Sequence, residues 1–234
     1  MNRICTICAR GGSKGVKNKN VRELLGMPLI AHSILQAKES KLFNVVAVSS
    51  DSDEILQVAK SYGADYAVKR PMEFATDSAA KLPAIKHCVR QVEMEANIHF
   101  DTITDIDATS PLRTIEDLQQ AIFMLEEHEY ASNLITAAPA RRSPYFNLVE
   151  EKNGYVALSK SLEQPIVRRQ DAPKAYDMNA SIYVWKRESF LKVESNFTDR
   201  TILYVMPEDR SQDIDSELDF EIVKLLAEKR GSLI

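Results

Sequence analysis

Two clusters of charged residues at opposite ends of this 234-residue chain have the types and spacing to hold a polyanion and a cation. The first is Arg10-Gly-Gly-Ser-Lys-Gly15, followed by Lys17, Asn18, Lys19 and Asn20. The chain has 7 glycines, and three fall in this short loop, where they permit close backbone approach. The amides of Ala9, Gly11, Gly12 and Ser13 can line an anion-binding concavity. Arg10, Lys14, Lys17 and Lys19 supply positive charge. A surface turn with solvated cations is the alternative. The Gly-Lys-Ser/Thr ending of a Walker A loop is missing, and so is the Gly-x-Gly-x-x-Gly dinucleotide fingerprint. The second cluster is Asp213-Ile-Asp215, just before an apolar-periodic segment. Two carboxylates flanking one apolar residue can turn toward one Mg²⁺, which takes oxygen ligands from protein and phosphate. They could equally cap the helix that follows.

Three further groups carry potential chemistry. Asp105-Ile-Asp107-Ala-Thr-Ser-Pro-Leu-Arg113 leaves a buried strand at the carboxyl edge, where open α/β sheets bind ligands. There Asp107 is a candidate metal or water ligand, and Thr109 and Ser110 are candidate hydrogen-bonding groups; a Ser-Pro turn opening a helix is the alternative. Arg70 and Lys81 flank a polar loop and could contact a base, ribose or phosphate, or be simple surface cations. Arg141-Arg142 and Arg168-Arg169 suggest recognition of an acidic second substrate, because guanidinium groups fork onto carboxylates. A solvated face or a subunit contact fits them too. Tyr176 to Tyr183 follows, with Asn179 able to hydrogen-bond a polyol or amide.

The elements that must position these residues alternate. Strands are expected at 3–9, 44–49, 65–68, 102–106, 133–137, 180–185 and 201–206. Helices are expected at 28–40, 53–62, 81–96, 114–129, 187–193 and 216–230. That alternation predicts an α/β fold with a mostly parallel sheet covered on both faces. Residues 138–178 break the rhythm with four prolines and a hairpin pattern around Lys152-Asn-Gly154. They read as an insertion between a first segment, 1–137, and a second, 179–234.

The charged fraction of 27% and net charge of −4 are those of an ordinary globular protein and argue against a nucleic-acid protein with a broad basic surface. No apolar run approaches membrane-spanning length and no secretory leader is visible, so a cytoplasmic protein without a membrane partner is expected. Cys5 and Cys8 have C-x-x-C spacing, but residues three apart on a strand face opposite ways. The four histidines, His32, His87, His99 and His128, show no ligand spacing.

Taken in order, several segments resemble the acylneuraminate cytidylyltransferases over essentially the whole chain. They are Ala9-Arg-Gly-Gly-Ser-Lys-Gly15 with Lys19-Asn20, Val48-Ser-Ser-Asp51, Arg70-Pro71, Thr109-Ser-Pro-Leu-Arg113, Asn179-Ala-Ser-Ile-Tyr183 and Asp213-Ile-Asp-Ser-Glu-Leu-Asp219. The resemblance implies a Rossmann-like nucleotidyltransferase, three layers α/β/α, with a small inserted dimerisation subdomain that lends residues to the partner's sugar site in a homodimer. It implies that CTP and a nonulosonic acid, a nine-carbon α-keto acid sugar, react with Mg²⁺ to give a CMP-sugar and pyrophosphate for surface glycan biosynthesis. By position, Arg10, Lys14 and Lys19 would hold the triphosphate, Asn20 and Arg70 the cytidine end, and Asp213 and Asp215 the metal, with Asp213 assisting deprotonation. Lys81 and Asp107 would join the nucleotide site. Thr109, Ser110, Arg142, Arg169, Tyr176, Asn179 and Tyr183 would serve the sugar acid. Asp107 and Lys81 replace the Gln and small polar residue typical of bacterial sialic acid enzymes. The segments 4–20, 139–148 and 167–173 look more like the legionaminic acid branch. A different sugar or nucleotide, or an inactive nucleotide-binding scaffold, are the competing readings.

Overall fold

The computed structural model describes residues 1–12, 15–76, 79–164 and 166–234. Strand β1 (Arg3–Cys8) is followed by a two-residue pair, β2 (Glu23–Leu24) and β3 (Met27–Pro28), that the sequence pattern does not reveal. Then come α1 (Leu29–Glu39), β4 (Val45–Ser50), α2 (Asp53–Ser61), β5 (Tyr66–Lys69), α3 (Lys81–Ala96), β6 (Thr102–Ile106), α4 (Ile115–Glu127) and β7 (Asn133–Pro139). The hairpin β8 (Val149–Lys152) and β9 (Tyr155–Leu158) precedes β10 (Tyr176–Lys186), α5 (Arg187–Lys192), β11 (Thr201–Val205) and α6 (Glu217–Arg230).

The main sheet has seven strands in the order β11-β7-β10-β6-β1-β4-β5. All its pairings are parallel except those of β10, which runs antiparallel to both β6 and β7. One face packs on α1, α2 and α4 through residues such as Ile34, Ile55, Leu118 and Ile122. The other packs on α3 and α5 through Ile85, Val89, Val92 and Phe190. This is the expected three-layer α/β/α arrangement. Cys5 belongs to the first core and Cys8 packs against the second, so the two thiols diverge as strand geometry requires.

Strand β10 begins at Tyr176, four residues before the expected start. Its first residues pair with the end of β7, Tyr176 with Pro139 and Met178 with Ala137, with a register shift before Tyr183. Between β7 and β10 the hairpin β8–β9 turns through Asn153 (φ 55) and Gly154 (φ 81), the positive-φ pair of a type I′ turn.

Caps fix the helix starts that border the site. Helix α4 opens on a capping box between Thr114 and Asp117, and α6 on one between Ser216 and Asp219. Capping of α6 therefore belongs to Ser216 and Asp219, and Asp213 and Asp215 lie outside it. Asp117 has a second role. Its fully buried carboxylate also accepts hydrogen bonds from Tyr204 Oη (3.2 Å) and Arg210 Nη2 (2.9 Å). It thereby pins the segment that leads from β11 to Asp213 onto α4.

Asp117→Ala removes a cap and the partner of Arg210 at once. Because Arg210 is partly exposed, the expected loss is about 2–4 kcal/mol, below the full cost of breaking a buried pair. Urea unfolding checks this; a loss under about 0.5 kcal/mol would fall in the range of ordinary surface changes and contradict the clamp.

Candidate active site

At the carboxyl ends of β1 and β6 lies a cavity of about 440 Å³, bordered by Ala9, Arg10, Gly15, Lys19, Asn20, Arg70, Lys81, Asp107, Thr109, Asp213 and Asp215 among others. The cation loop, the β6 exit and the acidic loop thus meet, although they come from the two ends and the middle of the chain. Larger depressions of about 640 and 720 Å³ lie at the opposite sheet edge, around Lys186 and Arg187, and along α3. Neither contains residues of these loops.

The cation loop is tied to its surroundings by its backbone. The Ala9 amide donates to Ser49 O (3.0 Å) and the Gly11 amide to Asp51 Oδ1 (2.9 Å). Asn20 is buried, and its Nδ2 donates to Arg10 O (3.0 Å), closing the loop from below. Among the described residues nothing lies within 4 Å of a Cβ built on Gly12, whereas a Cβ at Gly11 would sit 3.0 Å from Ser52 Cβ. Ser13 and Lys14 lie outside the described residues. Lys19 Nζ donates to Ile214 O and stands 3.7 Å from Asp215 Oδ1. Arg70 is buried and donates to Ser49 Oγ (3.2 Å) and Ser49 O (2.9 Å).

The β6 exit forms a charged floor. Lys81, in the first turn of α3, places Nζ 2.6 Å from Asp105 Oδ2 and 2.7 Å from Asp107 Oδ2. It also lies 5.3 Å from the centre of the Tyr183 ring. Burial alone would lower the Lys81 pKa, but the two carboxylates outweigh it and raise it. Asp105 is fully buried, and desolvation raises its pKa despite Lys81. Thr6 Oγ1 donates to its Oδ1 at 2.7 Å. Burial also pushes the Cys8 thiol up to about 12, which keeps this wall of the cavity uncharged and unreactive.

Beside this floor lies Arg113, fully buried, with burial lowering its pKa to about 10. Its guanidinium donates to Ser181 Oγ (3.1 Å), Ser33 Oγ (3.0 Å), Gln36 Oε1 (3.1 Å) and the Asp107 carbonyl. Neither Arg113 nor Asp105 carries a role legible from the sequence pattern alone. The available signal was charge in an apolar setting: an Asp inside a five-residue strand buried throughout, and an Arg preceded by the buried Leu112.

Besides Lys19, the acidic loop is held by backbone, hydroxyl and apolar contacts. The Ile214 amide donates to Thr109 O (3.0 Å), and the fully buried Ile214 side chain joins Val16, Leu24, Leu29, Leu112 and Phe220 in one apolar cluster. Ser110 Oγ donates to Asn179 O (3.0 Å) and lies 3.5 Å from Asp213 Oδ1. Burial and the like charges of Asp107 and Asp215 raise the Asp213 pKa, partly offset by a hydrogen bond from Thr109. Asp215 points outward, 84% exposed.

The candidates for the sugar divide. Thr109 borders the cavity. Asn179 is buried, accepting from Thr136 Oγ1 (2.7 Å) and donating to Ser211 Oγ (2.9 Å), so it braces the acidic loop. Tyr183 is only 5% exposed and stacks on Trp185 at 5.8 Å beneath Lys81. Arg142, Arg169 and Tyr176 are exposed, outside the lining of this cavity. Arg169 Nη2 donates to Ala140 O (3.2 Å) and Arg141 O (3.0 Å).

With this geometry in place, the comparisons are specific. The sequence profile described as cytidylyltransferase matches residues 4–230. The chain belongs to the cytidylyltransferase family. It is 51% identical over 223 residues to the CMP-N,N'-diacetyllegionaminic acid synthase of Campylobacter jejuni subsp. jejuni serotype O:2, covering 95% of this chain and 94% of that protein. It is 47% identical over 228 residues to post-translational flagellin modification protein B of Campylobacter coli, covering 97% and 96%. A solved CMP:2-keto-3-deoxy-manno-octonic acid synthetase complexed with CTP has the same fold at TM-score 0.71 and 15% identity, covering 98% of this chain and 100% of that one. In this cytidylyltransferase the candidate active site is the cavity where the two charged loops meet, rather than either larger depression.

Lys81→Met tests the charged floor. It leaves Asp105 desolvated without its cation and pushes an already raised pKa further up. A folded-state pKa above the unfolded value destabilises at pH above the folded pKa, and the penalty fades as pH falls below the unfolded value. Because Lys81 is 31% exposed, the expected loss near pH 8 is about 2–4 kcal/mol, under the full cost of breaking a buried pair. Most of the difference from wild type should vanish near pH 4, around the ordinary Asp value. A loss independent of pH would mean that Lys81 acts by packing alone.

Proposed function

We propose that the protein joins CTP to a nonulosonic acid of the N,N'-diacetyllegionaminic type, releasing pyrophosphate and forming the CMP-sugar. The observation that carries this reading is the meeting of the Arg10–Gly15 loop with Asp213 and Asp215 around one cavity. The strong likeness to a CMP-N,N'-diacetyllegionaminic acid synthase supports the sugar class. The anomeric hydroxyl oxygen attacks the α-phosphorus of CTP, and the bond from that phosphorus to the bridging oxygen of pyrophosphate breaks. Such transfer depends on positioning and charge stabilisation.

The loop amides with Arg10 and Lys14 take the charge of the triphosphate and of the departing pyrophosphate. Arg70 and Asn20 face the cytidine end. Asp213, the more enclosed of the two loop carboxylates, takes the hydroxyl proton. The donor set fits Mg²⁺: Asp213 and Asp215 border the same cavity and would supply two hard carboxylate oxygens. Held by Asp213 and Asp215, Mg²⁺ would supply positive charge to offset that of the phosphates.

The sugar carboxylate is read by Arg142 and Arg169 of the inserted segment, presented across a homodimer. Support comes from the exposed apolar surface of this segment. Val149, Val156 and Leu158 share one hairpin face and are 56%, 64% and 44% exposed, and a lone two-stranded hairpin is marginal in water.

Pyrophosphate release measured over a grid of CTP, UTP and several nonulosonic acids tests the reaction. Turnover should be confined to CTP with a nonulosonic acid, and Asp213→Ala should lower kcat by about a hundredfold or more. Near wild-type kcat in that variant, or equal use of UTP, would overturn the reading. For the dimer, the double change Val156→Asp, Leu158→Asp should give monomers in sedimentation, as should raise the sugar KM about tenfold or more with a smaller effect on the CTP KM. A dimer that survives the change, or a sugar KM that does not move, contradicts this part.

A further inference from the structure

The two loops of the candidate site touch at one place where no side chain fits. A Cβ built on Gly15 overlaps the carbonyl oxygen of Asp215 and comes within 3.1 Å of its carbonyl carbon. The obstacle is backbone, so a flexible side chain cannot move aside. The neighbouring residues make the same join. Val16 and Ile214 are both fully buried in one apolar cluster, and Lys19 Nζ donates to Ile214 O. Gly15 thus meets Asp215, 200 positions away in sequence, while Val16 and Ile214 share one buried cluster.

We infer that Gly15 and Val16 are positioning residues that set where the Asp215 carboxylate stands relative to the triphosphate loop. This rests on the reading of Asp213 and Asp215 as the metal-binding pair, and it adds a cause for their placement. Gly15 need not touch nucleotide for this role. Its missing side chain lets the acidic loop close onto the cation loop, and Val16 holds that closure by apolar burial with Ile214. Any Cβ at position 15 pushes the Asp215 backbone outward and widens the gap that a cation must bridge. Displacements of this size are costly for a metal held jointly by protein and ligand.

Two measurements on Gly15→Ala test the inference. The first needs no ligand: amide hydrogen exchange at 212–216 should quicken, while β1 and β11 keep wild-type protection. Unchanged exchange at 212–216 would overturn the latch whatever the reaction is. The second is calorimetric binding of CTP with and without Mn²⁺. In the variant, the gain in affinity that Mn²⁺ gives wild type should shrink about tenfold, while metal-free CTP affinity stays within about threefold. In an Asp215→Asn background, Gly15→Ala should cost no further metal-dependent affinity, because both changes act on one group. Equal losses with and without Mn²⁺, or additive losses in the double variant, would place Gly15 in the phosphate cradle instead. If wild type itself gains nothing from Mn²⁺, the metal assignment fails while the exchange result still decides the latch. Should Gly15→Ala not fold, Val16→Ala loosens the same join from the apolar side and is read in the same two ways.

Discussion

Attraction between charges has no preferred direction, so it cannot by itself set the distance between a cationic loop and an acidic one. Here that distance is set by the burial of Ile214. Its side chain enters the same apolar cluster as Val16 and Leu112, and its amide bonds the Thr109 carbonyl. One residue thereby holds the acidic loop to the cation loop and to the β6 exit together. Its two flanking carboxylates are displayed as a consequence, Asp213 inward and Asp215 toward solvent. Asp117, Arg210, Asn179 and Ser211 steady the approach to Ile214 from β11.

Beneath these loops lies a floor of buried charge. Asp105 and Arg113 are both fully buried, and desolvation works against the charged form of each. Replacing such groups with well-packed apolar residues is often neutral or stabilising. Here Asp105 and Arg113 hold Lys81 and the Asp107 backbone, which border the cavity, so that the charge there need not reorganise when a ligand arrives. Arg113 shows the means, since one guanidinium joins α1, β10 and the Asp107 carbonyl.

Sequence reveals most of the sheet and helices because their apolar periods are clean and because Ser52 and Thr114 mark the starts of α2 and α4, which they cap; the cap of α6 falls on Ser216 instead of the acids before it. It exposes the cation loop and Asp213-Ile-Asp215 through glycine density and charge spacing. It hides the early start of β10, because Tyr176 to Met178 gain their strand conformation only by pairing with the end of β7. It hides Arg113 and Asp105 because their roles depend on three-dimensional burial. It also credits Asn179 and Tyr183 with ligand contacts, while the fold uses Asn179 to brace the acidic loop and packs Tyr183 under Lys81. A polar side chain's availability depends on which partners surround it, and those partners lie on elements distant in sequence.

In the proposed reaction, loops from the two ends of the chain build one nucleotide and metal site. The most direct measurement is a crystal structure of the complex with CTP and Mn²⁺, with the metal located by anomalous scattering. A manganese peak shared between Asp213, Asp215 and the triphosphate is expected, with the phosphates against the Arg10–Gly15 loop. A peak away from both carboxylates, or CTP seated in either larger depression, would contradict it.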